Sequence, residues 1–136
     1  MTNKPQVPPP CDLTLGMTCI NKSIAGKSTW KMRVTERFLN PVGIMQGGFV
    51  AAFVDSAMGA SAITFARSIN PDMKLKAVNA EMKISLLKPI YPDTEIICDA
   101  EVISGGKTII FVEAKVKSAE NKLLATANST YVVLNR

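Results

Sequence analysis

Apolar and polar residues alternate along several stretches of this chain, and this period of two predicts β-strands. The clearest early example has Trp30, Met32 and Val34 alternating with polar residues, which is typical of a strand with one buried face. Glycine, proline and asparagine separate the strands from one another. The six predicted strands cover residues 17–24, 28–35, 78–86, 95–103, 108–117 and 123–134.

A different period appears in the middle of the chain, where residues 49–66 predict one long helix. The opposite face of this helix is nearly as apolar as its hydrophobic stripe, so we expect a helix buried on most sides. The stripe consists of Phe49, Ala52, Phe53, Ser56, Ala57, Ala60, Ile63 and Thr64. Six strands and one apolar helix predict an α+β domain in which an antiparallel sheet wraps around the helix.

Asp55 is the only charged residue between Arg37 and Arg67. A carboxylate inside an apolar helix is costly, because removing its charge from water requires several kcal/mol unless donors surround it or the proton stays on. One interpretation is a structural aspartate paired with a backbone amide or a lysine. The other is a functional carboxylate.

The loop before the helix, residues 40–48, is rich in residues that break helices and ends in Gly47 and Gly48. The amides of these glycines lie at the positive end of the helix dipole and have no partner inside the helix. Such amides can polarise a carbonyl, and glycine lets a substrate approach the backbone closely. An ordinary Gly-Gly helix start is the alternative interpretation.

The pattern Asn-Pro-x-Gly-x-x-x-Gly-Gly at residues 40–48, followed by Asp55 seven residues later, resembles the signature of hotdog-fold acyl-CoA thioesterases of the phenylacetic-acid-degradation (PaaI-like) type. One position departs from that family, since Gln46 stands where most members have histidine. The resemblance covers nearly the whole chain and includes residues 15–17, 83–89, 106–108 and 125–127.

The resemblance implies a hotdog fold and assigns roles to individual residues. Asp55 would act on the thioester carbon as general base or nucleophile, while Asn40 and the Gly47 amide would hold and polarise the carbonyl. Asn79 would stand where relatives carry a small hydroxyl residue that helps to hold water. The residues implied to contact the substrate or its coenzyme A portion are Gln46, Gly48, Asn79, Leu86, Lys88, Pro89, Gly106, Lys107 and Thr108.

Helix geometry predicts that the site needs two chains. Asp55 lies about two turns into the helix, roughly 10 Å along the axis from the amides at its start. A single thioester cannot touch both. The resemblance implies an antiparallel partner helix that brings Asp55 of one subunit near Gly47 of the other, so we expect a homodimer, with dimers pairing into a homotetramer.

The composition excludes several kinds of chemistry. The chain has no histidine, which rules out Ser-His-Asp and Cys-His nucleophile systems. We expect no metal and no cofactor other than the coenzyme A of the substrate.

The three cysteines show no metal-binding spacing and suggest a reducing cytoplasm. The net charge of +5 is scattered, so neither nucleic acid nor a membrane is an expected partner.

The expected organisation is a flexible, proline-rich tail at residues 1–12 and one domain at residues 13–136. Two functions remain open at this point. The first is hydrolysis of an aryl- or fatty acyl-CoA, favoured by Asp55. The second is a protein of the same fold that binds or senses acyl-CoA or another ligand without turnover, which the glutamine at position 46 keeps open.

Overall fold

A computed structural model describes residues 7–71 and 74–135, and it contains one six-stranded sheet packed on one long helix. All neighbouring strands are antiparallel, in the order β1-β2-β4-β5-β6-β3. This arrangement confirms the predicted α+β hotdog architecture. The strands are β1 Thr18–Asn21, β2 Lys27–Val34, β3 Leu75–Leu86, β4 Thr94–Gly105, β5 Ile109–Ser118 and β6 Leu123–Asn135.

The long helix α2, Gly47–Ile69, starts two residues before and ends three residues after the predicted helix. Its length and composition would suffice to cross a membrane, but here the sheet covers it. The predicted stripe is only partly the buried face: Phe53 and Ala57 are buried, whereas Ala52 is exposed. A helix that is apolar all round gives no periodic signal for its orientation. The buried residues are Val50, Phe53, Val54, Ala57, Met58, Ser61, Ala62 and Ala66.

Buried hydroxyl groups fix α2 against the sheet. The Ser28 hydroxyl donates to the Ala57 carbonyl over 2.9 Å and lies 2.8 Å from the Ser61 hydroxyl. Ser61 in turn donates to the Ala100 carbonyl of β4 over 3.0 Å. Because these serines are buried, each unmade bond would cost the full desolvation of a polar group. The bonds therefore define how far the helix sits along the sheet.

A β-bulge in β3 decides which side chains of that strand face the helix. Asn79 pairs with Tyr131 of β6, but Glu81 pairs with Thr130, so Ala80 is an extra residue. An inserted residue of this kind changes which side chains point to each face. Before the bulge Asn79 is half-buried and Val78 is 44% exposed. Before the bulge the apolar alternation therefore faces away from α2, and the polar Asn79 points towards it. After the bulge Met82, Ile84 and Leu86 pair with the buried Ser129, Ala127 and Ala125, so the apolar residues lie on the helix side.

Two short helices are absent from the sequence-based prediction. The helix α1, Pro10–Leu15, begins inside the segment expected to be a tail, and its Asp12 and Leu15 are buried. A single 3-10 turn, Glu36–Phe38, buries Phe38 before the loop that leads to α2. Both are too short for an apolar period to appear in the sequence. Residues 1–6 of the expected tail lie outside the described residues.

Candidate active site

Asp55 is half-buried in α2, and its carboxylate oxygen Oδ1 is held by two side chains from the sheet. The Tyr131 hydroxyl donates to Oδ1 over 2.6 Å, and the Asn79 amide donates to the same oxygen over 3.0 Å. These donors come from β6 and β3 at directly paired positions. Within residues 7–71 and 74–135, no hydrogen bond reaches Oδ2 and no ion pair involves Asp55. The carboxylate thus has one anchored oxygen and one without a protein donor.

Tyr131 is 2% exposed, and its surroundings favour the protonated phenol. Burial is the main cause that raises its pKa well above the usual value, and the hydrogen bond to Asp55 and the negative charge of Asp55 raise it further. A hydrogen bond from Asn79 acts in the opposite direction. The net effect is a hydroxyl that keeps its proton and can donate it as a hydrogen bond at any pH in ordinary use.

Asn79 connects three polar groups around this carboxylate. Besides Asp55, its Nδ2 lies 3.2 Å from the Ser129 hydroxyl and 3.4 Å from the Tyr131 hydroxyl. Its Oδ1 is buried and has no partner among the described groups. The bulge at Ala80 points the Asn79 amide towards α2. The resemblance implied a polar residue at this position of the strand.

The loop before α2 is stabilised by the side chain of Asn40. Its Oδ1 accepts hydrogen bonds from the amides of Val42, over 3.0 Å, and Ile44, over 3.3 Å. The backbone amide of Asn40 also donates to the Ile44 carbonyl over 2.8 Å. With the oxygen engaged in the loop, the Nδ2 group is the part of Asn40 that could donate to a ligand.

Gly47 is the first residue of α2, after Gln46 at the N-cap. Its amide, at the first helical position, cannot bond within the helix, and no other hydrogen bond from it is present in the part of the chain described. A Cβ at Gly47 would lie only 2.8 Å from the Leu86 side chain. The exposed Gln46 makes no side-chain cap, and its Oε1 lies close to Gly48. The start of the helix therefore offers open amides beside Leu86.

One chain does not bring all the predicted site residues together. The segment that carries Leu86, Lys88 and Pro89 lies at the start of α2, where the Met45 amide donates to the Ile90 carbonyl over 2.8 Å. The turn that carries Gly106, Lys107 and Thr108 lies at the other end, because Gly105 packs on the Phe65 ring. A helix of 23 residues is about 35 Å long.

Sequence reasoning missed Tyr131 and Ser129 as parts of the site. Both lie in β6, in a stretch where only the pairing register shows which side chains face Asp55. One signal for Tyr131 was available in the sequence. A buried carboxylate needs hydrogen-bond donors, and the Tyr131 hydroxyl is a donor that can be buried. Metal ligation has no support, since groups of three or more His, Cys, Asp or Glu side chains suited to a metal do not occur among the residues described.

A sheet wrapped around one helix, a lone carboxylate in that helix and open amides at its start define the class of hotdog-fold thioester hydrolases. Residues 42–125 match the family model of the thioesterase superfamily. Because the match covers more than half of the chain, the protein belongs to the thioesterase superfamily.

Known proteins of this family are similar to the chain over most of its length. A Saccharolobus solfataricus protein provisionally named an esterase is 30% identical over 109 residues, which cover 80% of this chain and 73% of that protein. Human acyl-coenzyme A thioesterase 13 is 26% identical over 117 residues, or 85% of this chain and 79% of the relative. The structure of the Escherichia coli PaaI protein superimposes with a TM-score of 0.82 at 21% identity, covering 91% of this chain and 83% of that one.

Proposed function

We propose that the protein hydrolyses the thioester of an aryl- or fatty acyl-CoA, with Asp55 as the catalytic carboxylate. The observation that carries this proposal is the asymmetry of the Asp55 carboxylate, whose Oδ1 is held by Tyr131 and Asn79 while Oδ2 receives no donor from the described residues. Similarity to human acyl-coenzyme A thioesterase 13 supports an acyl-CoA substrate.

In the proposed reaction Oδ2 of Asp55 removes a proton from water as the water oxygen attacks the thioester carbon. The carbonyl oxygen becomes negative and accepts hydrogen bonds from the Gly47 amide and the Asn40 Nδ2 group. The carbon-sulfur bond then breaks, and the proton passes to the departing thiolate, which gives a carboxylic acid and coenzyme A. A direct attack by Asp55 on the carbon would use the same oxygen and the same donors.

The proposed site is completed by a second copy of the chain. Strand β3 is a sheet edge of 12 residues, and Met82 and Leu86 on it are 37% and 58% exposed. A long edge strand with exposed apolar side chains is a template for pairing with another strand. Antiparallel pairing of two copies would place Asp55 of one chain near Gly47 of the other, as the separation of these residues along α2 requires. Dimers of this kind are proposed to pair into tetramers.

The same arrangement suits the coenzyme A portion of the substrate. Lys88 and Lys107 lie at opposite ends of α2 in one chain, but a two-fold axis that places Asp55 beside the partner's Gly47 would bring Lys88 of one subunit nearer to Lys107 of the other. Both lysines are exposed, so each could meet a phosphate as a point charge. The reaction needs no cofactor, and the unpaired state of Cys11, Cys19 and Cys98 suits a reducing cytoplasm.

A cavity of about 740 Å³ on α2 is the proposed place for the acyl group. It borders Ser56, the residue after Asp55, and Gly59, one helical turn further on. Its other walls are mainly apolar and come from the N-terminal segment, β1, β2 and β3; they include Cys11, Met17, Cys19, Trp30 and Ala77. Phe53 and Met58 of α2 are fully buried in the core and do not line this cavity.

Cys11 and Cys19 allow a direct test of the acyl cavity, because both are exposed and line it. We expect S-decyl-coenzyme A, a thioether that cannot be hydrolysed, to slow their alkylation by N-ethylmaleimide about tenfold at saturation. Burial raises the pKa of Cys98 to about 12, so this thiol should stay unmodified in the folded protein. Mass spectrometry of the peptides gives the three rates separately.

Coenzyme A without an acyl group is the control for this labelling experiment. It should protect the two thiols much less than the decyl thioether does. Equal labelling of Cys11 and Cys19 with and without the bound thioether would place the acyl group outside this cavity, although hydrolysis itself could still occur.

Thiol release from a panel of acetyl-, hexanoyl-, decanoyl- and phenylacetyl-CoA tests the function. We expect at least one member to reach a kcat/KM of about 10⁴ M⁻¹s⁻¹ or more, which is the ordinary lower range for enzymes. Calorimetry on the same panel gives binding in parallel. Binding of acyl-CoA without thiol release from any member would instead identify a non-catalytic binder, and substitution of Gln46 by histidine would then be the next step.

A further inference from the structure

We propose that Tyr131 is a positioning residue that orients the Asp55 carboxylate so that Oδ2 faces the reaction. The proposal rests on the proposed function, in which Asp55 acts as the catalytic carboxylate. Its physical basis is the 2.6 Å contact between the Tyr131 hydroxyl and Oδ1 of Asp55. A charge-assisted hydrogen bond from a fixed donor selects one orientation of the carboxylate.

The hydroxyl proton of Tyr131 has two acceptors within reach, and the carboxylate is the better one. The Asp55 backbone carbonyl lies at 2.9 Å, farther than Oδ1, and carries no full charge. A phenol has a single proton to donate, so the shorter, charge-assisted bond should hold it most of the time. Asn79 adds a second donor to the same oxygen over 3.0 Å, which leaves Oδ2 as the oxygen that faces the reaction.

The tyrosine ring is fixed in place by its surroundings. Tyr131 is 2% exposed in β6, and a Cβ at Gly59 would lie 3.7 Å from the ring, one turn along α2 from Asp55. The ring thus cannot swing away without breaking core contacts. A rigid donor loses little conformational entropy when it forms its hydrogen bond, which suits it to hold a catalytic group.

Within the described parts of the chain, Tyr131 is the only titratable side chain with a hydrogen bond to the Asp55 carboxylate, and the three ion pairs lie elsewhere. The titratable groups of the neighbouring elements that line the adjacent cavity are Cys11 and Asp12 of α1, Cys19 of β1, Lys22 after β1 and Lys76 of β3. A change of the tyrosine hydroxyl should therefore act on the carboxylate directly.

Tyr131→Phe tests the proposal, because it removes the hydroxyl and keeps the buried ring. We expect kcat to fall about tenfold, with KM changed less than about threefold, because a misoriented carboxylate slows the chemical step and leaves substrate binding in place. Initial rates over a range of acyl-CoA concentrations give kcat and KM separately.

Tyr91→Phe is the matched control, since Tyr91 is the only other tyrosine and is 58% exposed. It should leave both kcat and KM within about twofold of the wild type. A purely structural role for Tyr131 would lower the melting temperature and the fraction of active protein but leave kcat per active site unchanged. That result in Tyr131→Phe would overturn the proposal.

The contact can also be observed without any turnover. In the Tyr91→Phe protein Tyr131 is the sole tyrosine, so a ¹³Cζ-tyrosine label gives one NMR signal. We expect the chemical shift of this signal to differ between the Tyr91→Phe protein and the Tyr91→Phe/Asp55→Asn protein, because a carboxylate is a stronger acceptor for the phenol proton than a neutral amide oxygen. Equal chemical shifts in the two proteins would contradict the proposal. A difference in a protein that hydrolyses no acyl-CoA would uphold the contact between Tyr131 and the carboxylate and reject the proposed reaction.

Discussion

Asp55→Asn is expected to lower kcat for acyl-CoA hydrolysis at least about a hundredfold. Asparagine has nearly the same shape, and its carbonyl oxygen can still accept the hydrogen bonds from Tyr131 and Asn79. The group in place of Oδ2, however, becomes an amide nitrogen that can neither accept a proton from water nor attack the thioester. Thiol release from the best acyl-CoA of the panel, measured under saturating substrate, gives the ratio directly.

Asp93→Asn is the control for this substitution. Asp93 is exposed and has a φ of 61°, a conformation that asparagine adopts as readily as aspartate. We expect its activity to stay within about twofold of the wild type, since surface substitutions of this kind change little. If Asp55→Asn kept more than about a third of the activity, Asp55 would not be the catalytic carboxylate. Circular dichroism would show that both variants are folded.

The second large effect is expected for Gly47→Pro, which deletes one backbone donor. Proline has no N–H and is well tolerated at the first position of a helix, which is where Gly47 lies. The preceding Gln46 has φ −63° and ψ 138°, the extended conformation that a following proline requires. Loss of a donor to a developing oxyanion typically costs 10²–10³ in kcat, and we expect a loss of about this size.

Gly47→Ala separates the lost donor from crowding. Both substitutions add a Cβ that would lie 2.8 Å from Leu86, whose side-chain end can move, but alanine keeps the N–H. We expect Gly47→Ala to retain at least about ten times the activity of Gly47→Pro. Equal activities would mean that the amide of Gly47 does not bind the carbonyl oxygen.

Mixing the two inactive variants then tests whether the site is shared between chains. A heterodimer of Asp55→Asn and Gly47→Pro would contain one site with both substitutions and one site with neither. Random exchange makes about half of the dimers mixed, so about a quarter of the wild-type activity should return. A site built within one chain would show no recovery after co-refolding.

The chain's architecture could be predicted because its strongest signals are local. The alternation in β2 comes from a strand with one buried face, and Trp30, Met32 and Val34 are indeed buried. The residues around Asp55 are uncharged because the sheet covers α2. Glycine, proline and asparagine mark most of the turns between strands, since these residues adopt conformations that other residues avoid.

The orientation of β3 could not be predicted, because it depends on pairing between distant strands. An uninterrupted alternation places Val78, Met82 and Leu86 on one face. The bulge at Ala80 breaks the phase, so Val78 faces away from α2, while Met82 and Leu86 pair with the buried Ser129 and Ala125 and lie on the helix side. Alanine carries no signal for a bulge. The polar face of the strand therefore meets α2 at Asn79.

The site could be predicted only as far as short motifs reach. The spacing from Gly47 to Asp55 lies within one helix and is visible in the sequence. The contact between Asp55 and Tyr131 joins residues 76 positions apart and depends on the registers of β3 and β6 together. The proposed coenzyme A contacts at Lys88 and Lys107 depend on a second chain, about which the sequence of one chain gives only indirect information.

The separation of Lys88 and Lys107 along α2 links ligand binding to assembly. A ligand that contacts both subunits binds the dimer and not the free monomer, so its binding energy adds to that of subunit association. By mass action, a hundredfold excess over the dissociation constant would favour the dimer by about 2.7 kcal/mol. Dilution of the protein alone should therefore dissociate the dimer, and dilution with bound S-decyl-coenzyme A should do so far less, which makes the ligand a part of the quaternary structure that binds it.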